Sequence, residues 1–98
     1  MYAIAIIRYR RALEEVLRGL DEHRAYLRSL RDRGALLASG PFEPRSGGAL
    51  LLRVSDESPR EELDAIRDGD PFVAQGIAQY ELQMWAPTIG KESLDSLL

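Results

Sequence analysis

The chain has 98 residues, enough for one domain with its own core, and its composition, 45% hydrophobic and 30% charged, is that of a globular protein. The absence of cysteine excludes disulfides, thiolate nucleophiles and cysteine-ligated metals, and a single histidine argues against a transition-metal site. The net charge of −3 argues against nucleic-acid binding. No apolar run approaches the ~20 residues of a membrane-spanning helix. We therefore expect a cytoplasmic protein without nucleic-acid or membrane partners.

The first third of the chain predicts a strand followed by a long helix. Residues 2–9 are short, β-branched and almost wholly apolar, which is typical of a central strand. Residues 11–33 predict a helix with a break at Gly19, an N-cap at Asp21 and an end at Gly34. Its apolar stripe recurs at steps of three and four: Leu13, Val16, Leu17, Leu20, Leu27 and Leu30.

A hairpin and a second helix follow. Residues 35–41 and 49–54 predict two strands, and the Pro- and Gly-rich stretch 43–48 predicts the turn between them. The second helix is marked by its own end signals. These are Ser58 as N-cap, Pro59 in the first helical position, Glu61 as the partner in a capping box, and Gly69 at the end.

The last strand is predicted at 77–85, where the two faces alternate cleanly. One face carries Ala78, Tyr80, Leu82 and Met84; the other carries Ile77, Gln79, Glu81, Gln83 and Trp85. Pro87 ends the strand. We expect a domain over residues 1–87 and a C-terminal tail over 88–98, with a short helical end at 93–98.

The order of elements is β-α-β-β-α-β, which predicts the α+β ferredoxin-like fold: a four-stranded antiparallel sheet with two helices on one face. The other sheet face is then bare, although it carries tyrosine, isoleucine and tryptophan side chains. We therefore expect a homodimer formed through the open sheet face.

Two polar residues stand out as candidates for chemistry. His23 lies three residues after Leu20 and four before Leu27, so it points into the core or a pocket rather than to solvent. A buried imidazole needs a hydrogen-bond partner, and Asp70 is a candidate. Two structural interpretations compete with this one: Asp70 as the N-cap of a short turn with Pro71 at its first position and Gly76 at its end, and His23 as a satisfied core histidine.

The stretches DEHRAYLRSLRDRGALLASGP and DPFVAQGIAQYELQMW resemble the YCII-related (YciI-like) domain family over roughly residues 2–86. The features that carry the resemblance are His23, Tyr26-Leu27, Gly34, Ser39-Gly40-Pro41, Asp70-Pro71-Phe72 and Gly76. Two features depart from the family pattern. Leu20-Asp21-Glu22 stand where many members have arginine or proline, and Ser39 gives SGP where AGP is usual.

The resemblance implies a dimeric α/β barrel built from ferredoxin-like halves, with a pocket between helix and sheet. The catalytic pair proposed for the family maps to His23 and Asp70. In such a pair the carboxylate fixes the imidazole tautomer while the other ring nitrogen acts as general acid or base. We expect a cofactor-independent proton transfer, an isomerisation or elimination, on an unknown small-molecule ligand. The residues expected to bind it are Arg8, Ser39, Gly40, Pro41 and Phe72.

Two other functions stay open at this point. The pocket of a non-catalytic or accessory protein would bind a metabolite without turning it over. A purely structural pair would leave His23 and Asp70 as a buried clamp with no ligand-sized cavity. A serine nucleophile is disfavoured because Ser39 lacks the G-x-S-x-G turn that activates such residues.

Overall fold

The computed structural model describes residues 1–97 and shows the ferredoxin-like fold. The elements are β1 Tyr2–Tyr9, α1 Leu13–Arg18, α2 Leu20–Asp32, β2 Leu36–Pro41, β3 Gly47–Arg53, α3 Pro59–Gly69, α4 Pro71–Ala74, β4 Ala78–Trp85 and α5 Lys91–Asp95. The strands form one antiparallel sheet in the order β2-β3-β1-β4. The predicted fold class is confirmed.

One face of the sheet carries the core. Strand alternation places Ala3, Ala5 and Ile7 of β1 under the helices, where all three are buried. The other helices and strands contribute seven more buried side chains to this core: Val16, Leu30, Leu50, Leu52, Leu63, Ile66 and Phe72. The even-numbered residues of β1 point to the opposite face, where Ile4 and Ile6 remain half-buried.

The predicted break in the first helix is confirmed, but the expected cap at Asp21 is wrong. Gly19 lies at the junction of α1 and α2, and its carbonyl accepts the His23 N–H, so the second helix begins two residues earlier than a cap at Asp21 would allow. Because the helix is interrupted at Gly19, the apolar residues of α1 do not all continue the apolar face of α2. Leu13 and Leu17, expected in the core, are 44% and 48% exposed.

The other helix ends show one prediction confirmed and one wrong. Gly34, with φ of 80°, follows α2, and its N–H donates to the Arg31 carbonyl, as a glycine C-cap should. Ser58 precedes α3 as predicted, but no side chain caps this helix. The capping box does not form, because the Ser58 N–H that Glu61 would accept donates to Ser55 Oγ at 3.4 Å instead.

The C-terminal segment contacts the start of β1. Tyr2 Oη donates to Asp95 Oδ1 at 2.6 Å, which attaches α5 to the sheet. The helix predicted at 93–98 begins earlier, at Lys91, and residue 98 lies outside the described residues. Within residues 1–97, no helix has the length and apolarity needed to cross a bilayer.

We predict that Gly47→Ala lowers the free energy of unfolding by about 2 kcal/mol or more, because overpacking a filled site forces backbone shifts. A Cβ at Gly47 would overlap the Ile7 carbonyl oxygen and lie 2.9 Å from its carbon. Gly40→Ala is the matched control, since nothing lies within 4 Å of the Cβ position. Urea unfolding of both variants measures the difference; equal stability would show that the β1–β3 spacing adapts.

Candidate active site

Asp70 lies in the core at the turn between α3 and α4. Its side chain is fully buried, and Oδ1 accepts the Phe72 N–H at 2.9 Å, so Asp70 caps α4. Pro71 takes the first helical position, and Gly76, with φ of 68°, follows the end of this turn. The predicted local role of Asp70 is confirmed, and its carboxylate still has capacity for further donors.

The fold brings His23 and Asp70 together across 47 residues of sequence. The imidazole Nδ1 lies 2.9 Å from both carboxylate oxygens. From the other side, Tyr80 Oη donates to Oδ2 at 2.5 Å. Asp70 therefore receives hydrogen bonds from His23, Phe72 and Tyr80, and a carboxylate, which only accepts, satisfies all three donors. This arrangement puts the His23 proton on Nδ1.

The His23 ring is held in one orientation. Phe72 stacks against it with the ring centroids 4.1 Å apart and the planes at 1°, and Tyr9 packs edge-on against Phe72. With Nδ1 bound to Asp70, the free position is Nε2. This atom has no hydrogen-bond partner among residues 1–97 and is not one of their fully enclosed unpaired atoms. Nε2 therefore keeps a lone pair that solvent or a ligand can reach.

His23 forms part of the wall of a cavity of about 270 Å³ between α2, β1 and the β2–β3 hairpin. The apolar part of the wall comes from Ile7, Tyr9, Leu20, Leu27 and Leu50. A larger surface hollow of about 630 Å³ lies beside Met1 and Arg53, but neither His23 nor Asp70 lines it. The smaller cavity is therefore the one from which a small molecule could reach the imidazole.

The structure places the five expected ligand-binding residues in three different ways. Ser39, Gly40 and Pro41 line the cavity. Phe72 is 1% exposed and supports the imidazole from behind. Arg8 lies on the opposite face of the sheet and pairs with Glu81 at 3.2 Å, because even-numbered residues of β1 point away from the helices. The expected ligand contact of Arg8 therefore does not fit this cavity.

No grouping of three or more histidine, aspartate or glutamate side chains suited to a metal ion occurs within residues 1–97. The polar residues around the cavity are instead His23, the hydroxyl-bearing Ser39 and Tyr9, and two arginines, Arg24 and Arg45, together with backbone groups. Such a set suits proton transfer and the binding of oxygen atoms on a ligand.

A model of the YCII-related domain matches residues 1–86. The chain belongs to the YCII-related domain family. Its structure is similar to that of the 5-chloro-2-hydroxyhydroquinone dehydrochlorinase (TftG) from Burkholderia phenoliruptrix AC1100 in complex with 2,5-dihydroxybenzoquinone. The TM-score is 0.76 at 18% identity, and the match covers 91% of this chain and 97% of that chain, which shows a shared fold. A search of curated proteins found no match.

In this YCII-related domain, sequence reasoning missed three residues of the site. Tyr80 was placed on the correct strand face, and a phenol among Ala78, Leu82 and Met84 was the signal that a buried polar partner exists. The sequence pattern placed Arg24 on a solvent-exposed, charged face of the helix. Arg45 lay in a turn, and nothing in its sequence neighbourhood indicates that the hairpin brings it to the cavity.

Tyr80 stabilises this YCII-related domain through its neutral form. Burial, followed by the charge of Asp70 and the hydrogen bond to it, raises the pKa of Tyr80 above that of free tyrosine. The unfolded chain ionises near pH 10 while folded Tyr80 keeps its proton, so this contribution to stability is present below about pH 10 and falls as the pH rises further.

We predict that Tyr80→Phe lowers the free energy of unfolding by about 1.5–3 kcal/mol at neutral pH, because a hydrogen bond to a charged group is lost. Its stability should also decline less steeply than that of the wild type above pH 10. Burial also raises the pKa of Tyr26, so some slope should remain. Urea unfolding at several pH values measures both effects; identical slopes in variant and wild type would contradict the assignment.

Proposed function

We propose that this YCII-related domain is a cofactor-independent enzyme that transfers a proton on a small organic compound, in an elimination or an isomerisation. The observation that carries the proposal is the state of the His23 ring. Nδ1 is bound to a buried carboxylate, and Nε2 is unpaired at the wall of a ligand-sized cavity. A purely structural histidine has no need of that second feature.

The chemistry follows from the geometry. Nε2 accepts a proton from a C–H or O–H group of the substrate, and Asp70 stabilises the imidazolium that forms. In an isomerisation, the same nitrogen returns the proton to another atom of the substrate. In an elimination, the electron pair left behind forms a new double bond as the leaving group departs with its own electron pair, and the proton is later released to water.

Negative charge builds on a substrate oxygen when the proton leaves a phenol or the carbon beside a carbonyl. Donors placed at that oxygen lower the barrier, and proton transfer alone contributes only ~10²–10⁴-fold. Ser39 and the chain at Gly40 lie on the cavity wall and are the groups that we assign to this task.

The similar structure supports elimination as the first reaction to test, since that protein is a dehydrochlorinase found with a dihydroxybenzoquinone. We propose chlorinated hydroquinones as one substrate class and enolisable carbonyl compounds as the other. The experiment incubates the protein with a panel of both classes in D₂O and measures chloride release and deuterium uptake. Chloride release or protein-dependent deuterium uptake supports the enzyme; binding with neither signal would identify a non-catalytic binding protein.

We also propose that two copies associate through their open sheet faces. Ile4, Ile6 and Leu51 lie on this face, with Trp85, which is 40% exposed, at its edge. A self-complementary apolar face of this kind is typical of a two-fold dimer. The dimer would cover the sheet face to which α5 is attached at Tyr2.

Sedimentation of the wild type, Leu51→Glu and Leu17→Glu tests the dimer. We expect a dimeric wild type, a folded monomer for Leu51→Glu, and an unchanged dimer for Leu17→Glu, whose substitution lies on exposed α1. A monomeric wild type, or a dimer that survives Leu51→Glu, would contradict association through the sheet.

A further inference from the structure

Two arginines line the cavity, and none of its lining residues is acidic. Arg24 follows His23 on α2, and Arg45 comes from the turn between β2 and β3. Neither forms an ion pair with any residue of the described chain 1–97. Arg67, by contrast, pairs with Asp64 and Asp68 on its own helix. The two cavity arginines therefore leave a local excess of positive charge.

Arg45 carries a second indication that this charge has a ligand. Its Nε is fully enclosed and has no hydrogen-bond partner within residues 1–97. An enclosed donor without a partner costs about 1–3 kcal/mol, and more when the group is charged. The other two guanidinium nitrogens of Arg45 also lack a hydrogen-bond partner within residues 1–97 but are not enclosed, so a ligand oxygen in the cavity can reach them. Arg53 also has an enclosed unpaired nitrogen, but it does not line this cavity.

The size and walls of the cavity define the rest of the ligand. A cavity of about 150 Å³ holds a benzene molecule, and this one measures about 270 Å³. It has room for one ring and a few substituents. The apolar wall of Ile7, Leu20, Leu27 and Leu50 suits the ring itself.

We propose that the ligand of this site is a single-ring compound carrying an anionic oxygen, a carboxylate or a phenolate, that Arg45 and Arg24 bind beside the His23 Nε2. Arg45, the more enclosed of the two, makes the principal contact, and Arg24 closes the mouth. This inference rests on the proposed function only in locating the same cavity, because it concerns binding and not turnover.

Binding of the ligand's anionic oxygen by the arginines would also affect proton transfer to His23. A ligand whose anionic oxygen is held by a guanidinium group presents its ring hydroxyl or ring C–H to the imidazole in a fixed position. The same positive charge stabilises the additional negative charge that forms when His23 removes a proton. The arginines thereby select the substrate class and favour its ionised form.

Calorimetric titration under argon tests the proposal with three matched rings. Gentisate carries a carboxylate, 2,5-dihydroxybenzoquinone carries acidic enol oxygens that are ionised at neutral pH, and hydroquinone is uncharged. We expect one or both anions to bind at least about tenfold more tightly than hydroquinone. Which anion binds identifies carboxylate or phenolate as the natural group.

Substitutions of the two arginines test which of them produces the preference for anionic rings. Arg45→Gln should weaken binding of the preferred anion by about ten- to hundredfold, as loss of a charged hydrogen bond requires, and change hydroquinone binding less than twofold. Arg45→Lys should retain part of the preference, and Arg24→Gln should weaken anion binding. Arg28→Gln, on exposed α2 surface, should change nothing.

Three results would overturn the proposal: hydroquinone binding as tightly as both anions, Arg45→Gln weakening all three rings equally, or no binding of either anion at millimolar concentration. The titrations are repeated with His23→Gln, in which the anion preference should persist. Loss of catalysis and loss of anion selectivity are thus separate results, and a protein that binds anions without turning any over would refute the enzyme alone.

Discussion

Replacing His23 by glutamine should lower kcat by about 10²–10⁴-fold on the best substrate of the panel. Glutamine can still donate to Asp70, because its amide N–H₂ takes the role of Nδ1–H. It cannot accept and return a proton at the position of Nε2. We expect KM to change little, since the arginines and the apolar wall that bind the ligand are untouched.

Turnover measured with purified His23→Gln checks this expectation, and near-ultraviolet circular dichroism checks that the core is intact. Arg28→Gln is a suitable control because it alters an exposed position on the same helix. Wild-type turnover in His23→Gln would move the chemistry to another group, whereas a comparable loss in Arg28→Gln would make the effect non-specific.

Asp70→Ala should lower the free energy of unfolding by about 3–5 kcal/mol, the cost of removing one partner from a buried pair. The substitution leaves the His23 Nδ1–H, the Phe72 N–H and the Tyr80 hydroxyl without their acceptor. Because small domains are stable by only about 5–15 kcal/mol, this loss approaches complete unfolding. Asp70→Asn keeps the volume and one acceptor oxygen and should cost less, about 1–3 kcal/mol.

Chemical unfolding of the three proteins measures these losses. Asp68→Ala is the matched control: this nearby carboxylate is largely exposed and pairs with Arg67 at the surface, so its loss should stay within about 0.5 kcal/mol. A wild-type stability for Asp70→Ala would show that water replaces the carboxylate, and that the three hydrogen bonds to Asp70 contribute nothing to the fold.

The sequence predicted where the two principal residues lie but not that they touch. The helical spacing of His23 among leucines showed that it faces inward, and the Asp-Pro pair showed that Asp70 begins a turn. Each inference used contacts within a few residues. The hydrogen bond between them spans 47 residues and depends on how α2 packs on α4, which no local pattern specifies. Reasoning from the residues made Asp70 no more than a candidate partner of His23, and the family resemblance was what implied the pairing.

Side-chain direction was predictable on a strand and less so elsewhere. Period-two alternation assigned both faces of β4 correctly from Ala78 onward, but Ile77, expected on the outer face, precedes the strand and is buried in the core. Applied to β1, the same alternation explains why Arg8 faces away from the site. The failures lie at helix ends, where several polar groups compete for the same free N–H, as the Ser55 hydroxyl does with Glu61 for the Ser58 N–H. Arg45 was unpredictable because a turn has no periodicity from which its direction follows.

The proposed proton transfer depends most on the tautomer of His23, and nitrogen-15 NMR of the imidazole measures it directly. The chain has one histidine, so the signals need no assignment. At a pH high enough to make the ring neutral, we predict a protonated Nδ1 and a bare Nε2 in the wild type, and the reverse tautomer in Asp70→Asn. A wild-type ring protonated on Nε2 would contradict the proposed proton transfer, because the nitrogen facing the cavity would then have no lone pair to accept a proton.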